Sequence, residues 1–162
     1  MSEIENSKIE DSLSVEEILQ GARNARSEMA TSQEAVEKAL ALAPDNLGAR
    51  MGAYKFYLYT HRLDTAALHA EWLLSHFAGE IGVAGDWRAV GPADAGFSTL
   101  DFAPRRYLQA LIALGYCRAR SGDLDFGRAA LAKARDLDGD DRFGAGRLLA
   151  VLEREGREAE DD

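Results

Sequence analysis

Between residues 13 and 152 the apolar positions return every three or four residues, and runs of β-branched residues alternating with polar ones are missing. Ala, Leu, Glu and Arg fill the stretch, all of them strong helix formers. The pattern predicts helices throughout. Their starts are marked by side chains that can accept from the unpaired N–H groups of a first turn. Ser14 with Glu17 forms one capping box, and Thr31 with Glu34 another. Pro44 has no N–H to continue a ladder, so it stops the helix that carries Val36, Ala39, Leu40 and Leu42. Asp45 or Asn46 caps a helix over 47–60, and Asp64 with Thr65 opens one that reaches Phe77. Asp101 and Pro104 begin a helix that runs to Ser121, since proline suits a first turn. Gly122 and Asp123 turn the chain into a helix over 125–137. Asp138-Gly139-Asp140-Asp141 breaks it, and a last helix covers 142–155. Turns this short place neighbouring helices antiparallel. The expected architecture is all-α, with about seven helices forming three hairpins and a C-terminal cap. Residues 1–12 and 158–162 are acidic and aperiodic and read as disordered, which bounds the helical domain at 13–157.

The hairpins repeat. The clearest unit holds Leu111, Leu114-Gly115, Gly122-Asp123-Leu124-Asp125, Gly127, Leu131, Ala134 and Leu137. It resembles the tetratricopeptide (TPR) consensus, in which a Leu-Gly pair is followed by Gly-Asp, a small residue, a bulky one and an alanine. Its physical logic is that small residues let two helices approach while large ones fill the seam. An earlier unit begins at Leu13 and a second at Leu47, 34 residues later, which is the TPR period. Tyr54 and Leu73 stand where this second unit should have small residues. The third start comes at 108 rather than 81, so an insertion occupies about 81–107. The resemblance implies a right-handed superhelix of antiparallel helix hairpins, with three stacked repeats and a cap carrying Phe143, Leu148, Leu149 and Leu152.

Charge narrows the partners. A net charge of −9 repels phosphate backbones and anionic lipid, which argues against nucleic acid or membrane as the main partner. No apolar run approaches the roughly 18 residues of a membrane span, and the N-terminal residues lack the basic and apolar regions of a signal peptide. The expected location is the cytoplasm of a bacterium. The single cysteine, Cys117, allows no internal disulfide, and its mid-helix place beside Leu114 and Tyr116 reads as a buried, inert thiol.

Little in the sequence points to catalysis. His69 and His76 are seven residues apart, about 10 Å along a helix axis, too far to share a metal directly. His61 falls in a hairpin turn. The acidic run 136–141 has glycine in the wrong place for an EF-hand and reads as a solvated turn. P-loop, nucleophile-elbow and dinucleotide motifs are missing, so neither an enzyme nor a cofactor is expected.

By resemblance, the first helix of each hairpin lines a concave groove that receives another protein or peptide. In the second and third units that face carries Lys55, Tyr59, Tyr116 and Arg120, a mixture suited to an acidic segment with an apolar neighbour. Glu17 and Gly21 stand where a chaperone-tail clamp would need a cation and an asparagine, which argues against that ligand. The glycine-rich insertion carries Trp87, Val90, Phe97 and Phe102. Either Trp87 plugs the groove or anchors a partner there, or the segment tucks back onto the second hairpin. The stretches RLDTAALHAE (62–71) and DRFGAGRLLAVLER (141–154) resemble small TPR-like proteins found with bacterial nitrogen-fixation genes. Together these imply a non-catalytic scaffold or adaptor, accessory to a bacterial enzyme complex. Small-molecule binding under the insertion and self-association through the concave face are the alternatives.

Overall fold

The computed structural model describes residues 15–17, 19, 29–99 and 101–161. The acidic segment 1–12, the repeat start at Leu13 and the cap at Ser14 lie outside the described residues. Among those described the structure is all-helical, with no strand: α1 (Met29–Leu42), α2 (Leu47–Tyr59), α3 (Leu63–Ile81), α4 (Phe102–Arg120), α5 (Leu124–Leu137) and α6 (Ala145–Asp161). A 3₁₀ turn at Trp87–Ala89 interrupts the insertion, and residues 15–17 and 19 are helical. Contacts divide the chain into two compact units, Met1–His69 and Ala70–Asp162.

In the first unit, Met29 and Ala30 are already helical, so Thr31 and Glu34 lie inside α1 rather than at its cap. Met29 and Ala30 favour continuing the helix, and Glu34 faces Lys38 one turn on at 3.9 Å instead of reaching back. After Pro44 the Asn46 side chain accepts from the Ala49 N–H at 2.9 Å and starts α2. Ala49, Ala53 and Tyr57, four residues apart, form the buried stripe of α2. Val15, Ala39 and Ala49 make a small core with Leu19, Leu40 and Ala43 around it. Gly52 is what lets Leu19 in, because a Cβ there would stand 2.6 Å from Leu19 Cδ2. The α2–α3 turn carries His61 at a φ of 58°, with Arg62 N–H bonded to the Tyr57 carbonyl at 2.8 Å. The Tyr57 ring then stacks on His69 of α3 at 5.6 Å.

In the second unit, α3 runs on past Phe77 to Ile81 and ends at Gly82, whose φ is 70°. The Val83 N–H closes that end on the Ala78 carbonyl, the arrangement of a glycine C-cap. α4 and α5 form the tightest hairpin. Gly122 turns at a φ of 107°, and Asp123 caps α5 by accepting from the Phe126 N–H at 3.2 Å. α6 closes the open face of α5, burying Leu149 and Leu152 on Leu131. Each such side chain contributes about 1.5–3 kcal/mol on leaving water. α6 does not stop near Glu155 or Gly156 but continues to Asp161. Its last turns are rich in Glu, Arg and Ala, and Arg154 and Glu158 sit one turn apart, so one glycine does not end it.

Candidate functional site

The first helices of the second and third hairpins, α2 and α4, share a feature of composition. Neither contains an Asp or a Glu, in a chain that has 28. Their charged residues are all cations: Arg50 and Lys55 in α2, and Arg105, Arg106, Arg118 and Arg120 in α4. An acidic chain therefore presents two helices with no negative side chain of their own.

On α2, Lys55 and Tyr59 are one turn apart and both exposed, with Tyr59 at 77% of its full accessibility. No ion pair holds Lys55 among the described residues. The opposite side of the helix is committed to the interior. There Arg50 donates to the Pro44 carbonyl at 2.6 Å and lies 3.4 Å from His69 Nδ1, while Arg62 covers the Tyr57 ring. Burial, and then the Arg50 charge, lower the pKa of His69, so the imidazole is held neutral with Nδ1 as the acceptor.

On α4, Tyr116 and Arg120 are brought together, the guanidinium 5.6 Å from the ring centre. Arg120 is already engaged. Its Nη1 donates to Glu155 Oε2 at 2.8 Å and its Nη2 to Glu155 Oε1 at 3.2 Å, a two-pronged pair with α6. That hydrogen bonding is the main cause of a raised Arg120 pKa. Glu155 was not legible as a site residue in the sequence, because it reaches Arg120 only through the packing of α6, 35 residues further along the chain.

Trp87 does not offer an open anchor. It is 7% exposed and packs edge-on against Phe126 of α5 at 5.6 Å, under the Arg88 guanidinium at 4.2 Å. Phe126 is in turn covered by Arg118 at 4.4 Å. The Trp87 segment is thus fastened to the second helix of the third hairpin, not to a first helix where the groove was expected. Val90 and Phe97 are buried as well, and two cations hold the backbone beside them. Lys133 donates to the Val90 carbonyl at 2.8 Å, and Arg142 to the Phe97 carbonyl at 2.7 Å. Arg142 is steadied by Asp138, which is 2% exposed and also accepts from the Phe143 N–H. The acidic turn expected to be solvated therefore has one buried carboxylate that locks the insertion. Phe102 packs on Phe77 at 5.9 Å but stays half exposed.

Cys117 is fully buried, and burial pushes its thiol up to about 11, so little thiolate is present at neutral pH. No helix among the described residues is long and apolar enough to cross a membrane.

Helix order and packing define an all-α protein built from paired helices, with the insertion strapped to the third pair. No family model matches the chain, and no solved structure matches it. It is 34% identical over 128 residues to the uncharacterized 19.8 kDa protein in the nifW 5′ region of Azotobacter chroococcum mcd 1, covering 75% of this chain and 70% of that protein. The chain belongs to the family of that protein.

Proposed function

We propose that this chain is a TPR-like scaffold that catalyses nothing and holds acidic segments of another protein, each on one of its first helices. The observation that carries the reading is the absence of any carboxylate from α2 and α4, with Lys55 and Tyr59 standing exposed on α2. A cation beside an exposed aromatic ring suits a carboxylate next to an apolar side chain. The relative's place in the nifW 5′ region supports a role as an accessory or assembly factor for a bacterial nitrogen-fixation complex.

The test is recovery of the tagged full chain from its host cells, with co-purifying proteins identified by mass spectrometry. A stoichiometric protein partner is expected, lost from Lys55→Glu/Tyr59→Ala while helical content stays constant. Retention of the partner by that variant, or recovery of the chain alone, overturns the reading.

A second reading, small-molecule binding beneath the insertion, has one observation in its favour. The Tyr107 hydroxyl is buried without a hydrogen-bond partner, and its ring lies 5.8 Å from that of Phe97.

A further inference from the structure

We propose that Arg120, seated against the Tyr116 ring, is a receptor for a carboxylate side chain of the partner, and that Glu155 of α6 occupies it until the partner arrives. The inference rests on the scaffold reading and adds the chemistry and regulation of one station. Four observations lead to it.

The geometry is that of carboxylate recognition, with two guanidinium nitrogens donating separately to the two oxygens of one carboxylate, at 2.8 and 3.2 Å. The cation is backed by an aromatic ring at 5.6 Å, and its two donating nitrogens are turned to the exposed Glu155 carboxylate. α4 supplies no acid, so the carboxylate on Arg120 comes from α6. Exchange is also cheap in structural terms. The Arg120 and Glu155 side chains are 36% and 45% exposed, so water and a competing carboxylate reach the pair from outside. The hold of α6 on α5 comes instead from Leu149 and Leu152 against Leu131, on a different part of the helix. Glu155 can therefore rotate away without α6 leaving. An ion pair this open adds little to folding stability, so its two-pronged fit is better explained by what Arg120 is shaped to hold. A Glu or Asp side chain within a peptide segment is the matching occupant. The net charge of −9 elsewhere disfavours long acidic tracts and selects a segment whose few carboxylates meet the cations in register.

The experiment uses the full chain and a labelled, C-terminally amidated peptide of alternating Glu and Leu, followed by fluorescence anisotropy at low salt. Amidation removes the terminal carboxylate, so a signal reports side-chain carboxylates; a free-acid copy that alone binds would overturn the assignment to a side chain. Glu155→Gln is expected to tighten binding about fivefold, the worth of an exposed ion pair, and Arg120→Gln on that background to abolish the gain. Glu155→Ala, with its own helicity and melting measured, guards against a folding artefact and should tighten binding to the same degree. Equal binding by wild type and both Glu155 variants, or no binding by any of them, overturns the proposal. Neither result bears on the scaffold reading, which is tested through Lys55 and Tyr59 by partner recovery.

Discussion

Gly127 of α5 lies so close to Gly115 of α4 that a Cβ added to it would meet the Gly115 carbonyl oxygen at 2.7 Å, and it would collide with Ala119 as well. Both obstacles are backbone or a methyl on a neighbouring helix, and neither can swing aside. In an isolated helix Gly→Ala stabilises by about 1 kcal/mol. Here the sign reverses. Gly127→Ala should destabilise by about 2–4 kcal/mol, the range of overpacking at its upper end. Gly115→Ala should cost less, because its Cβ would meet Ala130 at 3.0 Å, Leu131 at 3.2 Å and the Gly127 carbonyl at 3.3 Å, contacts that a shift of a few tenths of an ångström relieves. Urea unfolding followed by circular dichroism measures both. A Gly127→Ala protein as stable as wild type would mean the two helices do not approach this closely.

That pair shows what the sequence makes legible. Small residues at Gly115, Gly127, Ala130 and Ala134, with Leu111, Leu114 and Leu131 between them, encode a helix seam through size alone. Helix periodicity and turn chemistry are local, so a cap at Asp45 or Asn46 and the turn at Gly122-Asp123 could be read in advance; the structure gives the caps to Asn46 and Asp123. The insertion could not be placed. Its position depends on Lys133 and Arg142, which lie 43 and 45 residues from the carbonyls they hold, and no local pattern announces such bonds. For the same reason Trp87 could be read as an anchor, although Phe126 buries it. Arg120 was legible as a cation on the right face, while its occupant Glu155 depended on how α6 packs.

His61 sits at the turn position that Gly122 fills in the following hairpin, and both have positive φ, 58° and 107°. The left-handed region costs a residue with a Cβ about 1–2 kcal/mol, and glycine avoids that while losing more chain entropy on folding. His61→Gly should therefore stabilise the protein by a net ~0.5–1 kcal/mol. Thermal melting would register this as a rise of a few degrees. His61→Ala should give no such rise, since it keeps the strained backbone.

Tyr107 carries a hydroxyl with no partner in the middle of the second unit, and burial, then the Asp86 charge, push its pKa up to about 12. A buried unpaired hydroxyl loses its water and gains nothing in return. Tyr107→Phe should accordingly be neutral or stabilising, by up to about 1 kcal/mol. Destabilisation by more than about 1 kcal/mol would show that the hydroxyl does have a bonding partner in solution. That outcome would strengthen the reading of a small molecule held beneath the insertion, and a melting screen against polar metabolites would then be the next measurement.

His69 is 7% exposed, and its pKa lies below the ordinary 6.5 because burial and the nearby Arg50 charge both oppose protonation. In the unfolded chain the same imidazole titrates near 6.5. As pH falls through that value the unfolded state takes up a proton that the folded state still refuses, so the equilibrium shifts toward unfolding. The stabilisation is complete above about pH 6.5 and declines until the folded protein itself protonates at lower pH. Melting temperature should therefore drop between pH 8 and pH 5. His69→Gln, which keeps an oxygen for Arg50 but cannot titrate, should flatten that part of the curve. Carboxylates contribute further loss in acid, so the comparison of wild type with variant carries the inference, not the slope of either alone. Identical pH profiles would place His69 in a wetter setting than its stacking on Tyr57 at 5.6 Å implies.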